Sequence, residues 1–367
     1  MKKKILFISH DANRAGAQVQ LLRLLTLLKE KTTIPFEILL KYDGVLRPEF
    51  EQLAQTYLWH QQEVKPNSLF KRIYRKIAYK PLIKRLQEQN FGMVISNTLT
   101  NGSLLSELKP LGRPIISYVH ELGHHLEMYT NESELQTTLQ LTDFYMVCAN
   151  IAAYYLNTEY HIPSEKTKWL PSVLPNIKPA LLEKTAVVRQ RLGILPNTFV
   201  VGGIGTADLR KGIDYFVELA TILPHCSFVW VGATKQDFSN CLGINNFPAN
   251  LYFVANTANP YSYLNTFDVL ALTSRMEVYP LVVMEALSLQ KPVVCFAEAG
   301  GAPELIETDA GIVIENFVIN KMAEAIVFLK ENPQKKEDMG HIGKQKVTER
   351  HNEQQILNTF VSIINTL

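Results

Sequence analysis

Two glutamates in the stretch from Thr273 to Ser288 could each accept hydrogen bonds from a ligand. Pro280 lies between Glu277 and Glu285 and suits the first turn of a helix, because proline has no N–H and a preset φ. The residues from Leu281 to Leu289 are almost all apolar, which predicts a buried helix around Glu285. An unpaired buried carboxylate costs roughly several kcal/mol. Glu285 is therefore either a core residue paired with a backbone N–H or an arginine, or the acceptor for two ribose hydroxyls beside a helix N-terminus that faces a diphosphate.

Two glycine turns stand immediately before predicted helices. Gly205 ends a Gly-x-Gly turn, and Arg210 and Lys211 follow it at the start of an amphipathic helix, where cations suit a phosphate. The third glycine of a dinucleotide fingerprint is missing, and a solvated basic pair is the alternative. Gly16 precedes the helix that begins at Gln18, so it either lets the backbone approach a ligand or is an ordinary turn glycine.

The sequence from His120 to His124 matches the H-E-x-x-H pattern of zinc proteases. That site needs both histidines one turn apart on a helix, with the glutamate as general base. Here the preceding residues are β-branched and strand-like, and Gly123 interrupts the required helix. The favoured interpretation is that His120 ends a strand and points into a cleft. A capping or surface histidine is a third interpretation.

The segment 65–85 carries eight Lys or Arg and no acidic residue, interleaved with aromatic and aliphatic side chains. A basic amphipathic helix of this kind suits an anionic membrane surface. Its central cations are candidates for contact with a membrane or an acceptor: Lys71, Arg72, Arg75 and Lys76. Nucleic acid is a weaker alternative because no stacking motif accompanies the charges, and a solvated helix face is the other.

The composition is that of an ordinary globular chain: 367 residues, 47% hydrophobic and 20% charged. The net charge of +2 argues against nucleic acid as a partner of the whole molecule. The four cysteines form no C-x-x-C pair, which fits reduced thiols in the cytoplasm. We expect no signal peptide and no membrane-spanning helix, because every apolar run is too short.

Short apolar runs alternate with longer amphipathic ones, which predicts parallel strands and crossover helices. The expected strands are Ile5–Ser9, Glu37–Leu40, Met93–Ser96, Ile115–Val119, Phe144–Val147, Trp169–Leu174, Phe199–Gly203, Phe228–Val231, Leu251–Val254, Val269–Leu272, Val293–Phe296 and Ile312–Ile314. The expected helices include Gln18–Lys29, Leu69–Gln89, Ser103–Leu108, Leu135–Leu141, Ile151–Leu156, Asn320–Glu331, Lys335–Arg350 and Asn352–Ile364.

Three prolines within nine residues mark the best linker in the chain: Pro171, Pro175 and Pro179. We therefore predict two doubly wound α/β domains, residues 1–176 and residues 177–351. Ligands of open α/β sheets bind beyond the carboxyl ends of the strands, so the two sheets should face a central cleft.

In this order and spacing, the motifs resemble retaining glycosyltransferases of family 4, which have the GT-B fold. Glu277 and Glu285 are similar to the Glu-x7-Glu motif of that family. The other matching segments are Asp11–Leu22, His120-Glu121, Pro175-Asn176, Arg210–Phe216, Tyr279–Glu285, Lys291–Phe296 and Gly300–Glu304. The matches run from residue 9 to about residue 314, and their joint order is more specific than any one of them.

The resemblance implies a role for each matching residue. Glu285 would bind the ribose of a nucleotide sugar, and Glu277 would contact hydroxyls of the transferred sugar. Lys211, with Arg210, would neutralise the diphosphate, while His120 would lie beside the sugar. The donor-binding set would also include Gly16, Gly205, Tyr279, Pro280 and Leu281. Many family members have an arginine where this chain has Thr206, so either Arg210 replaces it or the phosphate has one cation fewer.

The resemblance also implies an activity. The protein would transfer a sugar from a UDP- or GDP-linked donor to a glycan or lipid-linked acceptor in bacterial polysaccharide or glycolipid synthesis. No Asp-x-Asp is present, so no metal and no further cofactor are expected. The final helix, about 352–367, would pack back on the N-terminal, acceptor-side domain, and the enzyme would be cytoplasmic or peripheral on the inner face of the membrane. The rival functions are an H-E-x-x-H zinc hydrolase and a nucleotide-sugar binder or epimerase that transfers nothing.

Overall fold

The computed structural model describes residues 4–60, 80–121, 126 and 130–367. The chain divides into two compact units. Unit 1 consists of Met1–Val173 with Asn352–Leu367, and unit 2 consists of Leu174–His351. The division falls within the proline-rich segment, between Pro171 and Pro175.

Unit 1 is built on a parallel sheet with the strand order β3-β2-β1-β4-β5-β6-β7. Its strands are Ile5–Ser9 (β1), Phe36–Tyr42 (β2), Thr56–His60 (β3), Met93–Ser96 (β4), Ile115–Val119 (β5), Phe144–Val147 (β6) and Thr167–Trp169 (β7). All five residues of β1 and of β5 are buried, as expected for strands covered by helices on both faces. The order reverses between β1 and β4, so the loops after these strands occupy the usual ligand-binding edge of such a sheet.

The helices of unit 1 that precede the linker alternate with these strands. They are Gly16–Lys31 (α1), Arg47–Leu53 (α2), residues 80–88 (α3), Gly102–Leu108 (α4), Glu132–Leu141 (α5) and Asn150–Tyr160 (α6). Leu21, Leu24 and Leu28 bury the inner face of α1, which follows the spacing of an amphipathic helix.

Unit 2 repeats the architecture with the strand order β10-β9-β8-β11-β12-β13, again with parallel pairing. Its strands are Val200–Ile204 (β8), Ser227–Val231 (β9), Leu251–Val254 (β10), Val269–Leu272 (β11), Val293–Phe296 (β12) and Gly311–Ile314 (β13). The reversal here lies between β8 and β11, which directs attention to the loops that follow these two strands.

The helices of unit 2 are Thr185–Leu192 (α7), Ile213–Ile222 (α8), Lys235–Leu242 (α9), Pro260–Leu264 (α10), Leu281–Ser288 (α11), Ala302–Ile306 (α12), Ile319–Glu331 (α13) and Pro333–Arg350 (α14). Phe216 anchors α8 to the sheet through edge-to-face contacts with Phe228 and Trp230, at centroid distances of 5.4 and 4.9 Å. This packing fixes the start of α8, two residues after Lys211.

The chain ends in helix Glu353–Ile364 (α15), which belongs to unit 1. Phe360 of α15 is fully buried and stacks on Phe7 of β1 at 6.2 Å between ring centroids. Lys168 of β7 donates to the Ser362 hydroxyl at 2.8 Å. Asn352 caps α15 by accepting hydrogen bonds from the backbone N–H groups of Gln354 and Gln355.

The prediction of two doubly wound α/β units is confirmed, and seven strands have their predicted bounds: β1, β4, β5, β6, β10, β11 and β12. The prediction of a strand over Trp169–Leu174 is wrong, because β7 ends at Trp169 and Pro171 has no N–H for a sheet ladder. Strand β3 and helices α2 and α7 were not predicted. Of the expected helix Leu69–Gln89, residues up to 79 lie outside the described part of the chain. No helix in the described ranges is both long and apolar enough to cross a membrane.

Candidate functional site

The loop after β8 places two cations at the carboxyl edge of the sheet of unit 2. Residues Leu209–Lys211 form a single 3₁₀ turn, which Asp208 caps by accepting from the Lys211 N–H at 2.9 Å. Gly212 follows with φ +67°, and a Cβ there would lie 1.9 Å from the Thr273 carbonyl oxygen. Only glycine allows this close approach to the loop after β11. Gly212 therefore fixes the position of Lys211, the residue before it.

Glu277, in the loop after β11, pairs with both cations of the loop after β8. Its Oε1 accepts from Lys211 Nζ at 2.5 Å, from the Ser274 hydroxyl at 3.0 Å and from an Arg210 guanidinium nitrogen at 3.3 Å. The Glu277 side chain is 10% exposed. Burial acts to raise the pKa of this carboxyl, but the charges of Lys211 and Arg210 outweigh it and hold the pKa below the ordinary 4.5. Glu277 is therefore ionised at neutral pH and firmly held.

The backbone of Glu277 is bound as tightly as its side chain. Its N–H donates to the Ala299 carbonyl at 2.6 Å, and its carbonyl accepts from the Gly301 N–H at 3.0 Å. Gly300 has φ +111°, and a Cβ there would lie 1.8 Å from the Glu277 carbonyl oxygen. The glycine pair after β12 therefore secures the Glu277 loop by close backbone contact.

Gly205 packs against the side chain of Lys211. Its φ is +154°, and a Cβ there would meet Cδ and Cε of Lys211 at 3.2 Å. The Gly205 carbonyl accepts from the Trp230 indole N–H at 2.9 Å, which ties this turn to β9. Thr206 donates to Asp208 Oδ2 at 2.7 Å, so its hydroxyl stabilises the loop internally. In unit 2 the cations that meet Glu277 are Lys211 and Arg210.

Glu285 lies in the middle of α11, is 8% exposed and accepts from the Tyr261 hydroxyl at 3.4 Å. Pro280 is the N-cap residue of α11, one position before the first turn for which the sequence suggested it, and Leu281 is the first residue of the predicted buried helix. Tyr279 directs its hydroxyl to His351 Nε2 at 3.0 Å, which ties the same loop to the end of α14.

In unit 1, Gly16 is the first residue of α1, and a Cβ there would have nothing within 4 Å. His120 follows β5, and its Nε2 lies 3.1 Å from Asn97 Oδ1. Asn97 donates its amide nitrogen to the Ala17 carbonyl at 2.9 Å, so its oxygen must face His120 and His120 Nε2 must carry the proton. Burial lowers the pKa of His120 to about 3, which keeps the imidazole neutral.

Glu121, next to His120, is buried against the loop after β4. Its carboxyl accepts from the Thr98 hydroxyl, from the His120 N–H at 3.1 Å and from the Leu99 N–H at 3.4 Å. Burial raises the pKa of Glu121 despite these hydrogen bonds. His120 and Glu121 are not helical, so the first half of the H-E-x-x-H segment lacks the geometry of a zinc protease, and His124 lies outside the described residues.

The basic residues expected to contact a membrane or acceptor also lie outside the described part of the chain: Lys71, Arg72, Arg75 and Lys76. Within the described ranges, no group of three or more His, Cys, Asp or Glu side chains is arranged to hold a metal ion.

The site of unit 2 lies within a segment that matches a known family. Residues 185–346 match the family described as glycosyl transferases group 1. The matched segment lies entirely within unit 2. The match includes both Glu277 and Glu285 and both cations of the 3₁₀ turn.

Curated relatives align with less than half of the chain. An alpha-galactosylglucosyldiacylglycerol synthase of Streptococcus pneumoniae is 31% identical over 144 residues, which cover 36% of this chain and 38% of that protein. A poly(ribitol-phosphate) alpha-N-acetylglucosaminyltransferase of Staphylococcus aureus is 26% identical over 174 residues, which cover 46% of this chain and 35% of that protein. The chain thus spans well under two thirds of the length of these relatives.

The fold as a whole is similar to a solved structure. HepE of Anabaena, crystallised in complex with UDP, is 20% identical, with a TM-score of 0.80 and complete coverage of both chains. This likeness shows that the chain has the GT-B fold, as the resemblance of the sequence motifs implied.

Sequence reasoning missed several residues that hold the site together: Ser274, Arg275, Asn97, Tyr261 and His351. They belong to no motif. All but Ser274, whose partner Glu277 is three residues away, act through a partner distant in sequence. The glycine pair at 300–301, by contrast, belonged to a matching segment of the sequence and followed a predicted strand.

Proposed function

We propose that the protein is a retaining, metal-independent hexosyltransferase of family 4 that uses a nucleotide sugar as its donor. The observation that carries the proposal is the cluster in which Glu277 meets Lys211 and Arg210, at the carboxyl edge of the sheet in the segment that matches group 1 glycosyl transferases. A buried carboxylate and two cations beside a helix N-terminus suit a ligand with hydroxyls next to a diphosphate.

Unit 2 is assigned to the donor. Glu285 accepts both ribose hydroxyls, and Tyr261, 3.4 Å from its Oε1, orients the carboxylate. Lys211 and Arg210 bind the diphosphate. Arg210 takes the role of the arginine that many family members have at the position of Thr206. Glu277 contacts hydroxyls of the transferred sugar, while Gly205, Tyr279, Pro280 and Leu281 shape the wall around it. The UDP bound to HepE supports a UDP-linked donor, and a GDP-linked one is the alternative.

Negative charge grows on the diphosphate as the bond from the sugar C1 to its oxygen breaks. Fixed cations stabilise that charge more in the transition state than in the ground state, which is how they accelerate transfer. The acceptor hydroxyl forms the new bond to C1 on the same face, and its proton passes to the leaving phosphate oxygen. No protein nucleophile is needed, and the configuration at C1 is retained. The α linkages in the names of both relatives support retention.

Residues 1–176, with the final helix, are assigned to the acceptor, and residues 177–351 to the donor. Of unit 1, we assign neutral His120 to contact with the transferred sugar, and Gly16 to a close approach of the backbone to donor and acceptor. The two relatives act, by their names, on a glycosylated diacylglycerol and on poly(ribitol phosphate). They support a lipid-linked or surface-polymer acceptor. We assign Lys71, Arg72, Arg75 and Lys76, from their basic and amphipathic sequence, to an anionic membrane at its cytoplasmic face.

A panel of nucleotide sugars tests the proposal. Thermal unfolding is measured with UDP-, GDP- and ADP-linked hexoses, and transfer is then assayed with glycosylated diacylglycerol and poly(ribitol phosphate). We expect one nucleotide to raise the Tm, and its sugar to be transferred. Stabilisation without transfer to any acceptor would favour the non-transferring binder, and no stabilisation by any donor would contradict the proposal.

A further inference from the structure

Arg275 lies two residues before Glu277 and contacts the turn that carries Lys211. The Arg275 N–H donates to the Arg210 carbonyl at 2.7 Å, and its guanidinium donates to the Leu209 carbonyl at 2.5 Å. These carbonyls belong to the 3₁₀ turn Leu209–Lys211. Such a turn is short and has few hydrogen bonds of its own, so outside donors matter to its geometry.

The same guanidinium is fixed from the other side by the first turn of α8. It donates to both carboxylate oxygens of Asp214, at 2.8 and 2.6 Å. Its central carbon lies 4.0 Å from the centroid of the Tyr215 ring. A planar guanidinium can make a forked pair with a carboxylate while its flat face stacks on an aromatic ring, whereas an ammonium is a point charge without that planar fork.

Two neighbouring residues of one loop therefore hold the same turn in different ways. Arg275 binds its backbone carbonyls, and Glu277 binds its cationic side chains at Lys211 and Arg210. Asp214 and Tyr215 set the guanidinium in place from a helix that is itself packed on the sheet.

We propose that Arg275 is a positioning residue that fixes the Leu209–Lys211 turn so that both cations face the diphosphate of the donor. The inference rests on the proposed function, because it assigns Arg275 to the recognition of that diphosphate. Asp214 and Tyr215 contribute by holding the Arg275 guanidinium in place. Arg275 itself contacts neither the ligand nor the reacting atoms.

The test compares a nucleoside diphosphate with its nucleoside. Calorimetry and ligand-observed NMR give the affinities of UDP and uridine for the full-length wild-type protein and for Arg275→Lys, Arg275→Ala and Asp214→Asn. We expect UDP affinity to fall about tenfold or more in the Arg275 variants, while uridine affinity stays unchanged, since the loss concerns charge-assisted phosphate contacts. Donor KM should rise and kcat should fall in parallel.

Arg191→Lys is the matched control, because Arg191 also pairs with a carboxylate, Glu183, and lies over a tyrosine ring, Tyr263, without contacting the 3₁₀ turn. It should bind UDP like the wild type. Equal losses of UDP and uridine affinity in the Arg275 variants would indicate a general loss of structure and overturn the proposal. Wild-type UDP affinity and kcat/KM in Arg275→Lys and Arg275→Ala would overturn it too.

The outcome is separable from the fate of the proposed function. If the wild-type protein binds no nucleoside diphosphate, the proposed function fails before any variant is compared. If it binds UDP and transfers the sugar, only the comparison of Arg275 variants with the Arg191 control decides the role of Arg275. A variant that is unfolded by circular dichroism is replaced by Tyr215→Leu, which removes the stacking face and should lower UDP affinity selectively.

Discussion

Glu277 Oε1 lies 2.5 Å from Lys211 Nζ, and both side chains are largely buried. The carboxylate and the ammonium neutralise each other at the place where we assign the donor diphosphate. An incoming diphosphate must therefore share or take over a cation that already has a partner. Changes to either side chain should therefore alter the binding of the diphosphate as well as the pair itself.

The first prediction concerns Glu277→Gln. Removing the carboxylate that competes with the diphosphate for the cations should raise the affinity for UDP by about tenfold. UDP carries no transferred sugar, so its binding loses no contact between a sugar and Glu277. Transfer should fall by about 100-fold, because the contact with the sugar hydroxyls is lost. Calorimetry with UDP and a transfer assay measure the two effects. Glu324→Gln, at an exposed pair with Lys321, is the control and should change neither. Unchanged or weaker UDP binding would contradict the shared-cation arrangement.

The second prediction follows from the lowered pKa of Glu277. A carboxyl with a depressed folded pKa stabilises the protein above its unfolded pKa, near 4.5, and that contribution is lost as pH falls through the folded pKa. The wild type should be more stable than Glu277→Gln at pH 7, by about 2 kcal/mol at most. The difference should shrink below pH 4.5. Thermal unfolding at pH 7 and at successively lower pH measures it, and a difference that grows on acidification would contradict the assignment.

Lys211 is predicted to act mainly in the transition state. Lys211→Ala should lower kcat by about 10²- to 10³-fold, because a fixed cation is removed from the departing phosphate. Arg210→Ala should have a smaller effect, since Arg210 lies farther from Glu277 Oε1, at 3.3 Å. Steady-state kinetics of both variants decide the ranking. Turnover like that of the wild type in Lys211→Ala would remove Lys211 from the mechanism.

Glu285 is predicted to recognise the ribose. The wild type should bind UDP more tightly than its 2′,3′-dideoxy analogue, and Glu285→Gln should lose most of this discrimination. Tyr261→Phe should lose less, because it changes only the partner of the carboxylate. Competition binding with the two nucleotides measures the ratio. A ratio unaffected by Glu285→Gln would mean that Glu285 is only a buried structural carboxylate.

His120 is predicted to be a neutral imidazole with the proton on Nε2. Asn97 dictates this tautomer, and burial keeps the pKa near 3, so the ring should not titrate between pH 5 and pH 8. Nitrogen-15 NMR of histidine-labelled protein distinguishes the two tautomers and the imidazolium. A proton on Nδ1, or an imidazolium at pH 7, would contradict the arrangement; Asn97→Ala should release the ring from a single tautomer.

The parallel sheets were predictable because their strands are buried on both faces and so appear as continuous apolar runs, as β11 and β12 do. Strand β3 escaped prediction because it is a short run at the sheet edge. The strand expected over Trp169–Leu174 failed at Pro171, whose ring prevents ladder bonding whatever the hydrophobicity of its neighbours.

The residues of the candidate site were also predictable only in part. Glu277, Glu285 and Lys211 were recognisable from a motif and from their positions after apolar runs. Arg275 and Asn97 were not, since their importance comes from partners 61 and 23 residues away, Asp214 and His120, which only the fold brings within reach. Spacing along a chain reports helix and strand neighbours, but it does not report contacts between loops that follow different strands.

A crystal structure of the protein with the nucleoside diphosphate that most raises its Tm would test the central claim most directly. We predict that the ribose hydroxyls lie at Glu285 and the diphosphate beside Lys211 and Arg210, with Arg275 still bound to Asp214 and to the Leu209 carbonyl. A nucleotide whose phosphates lie away from Lys211, or whose ribose does not contact Glu285, would contradict it.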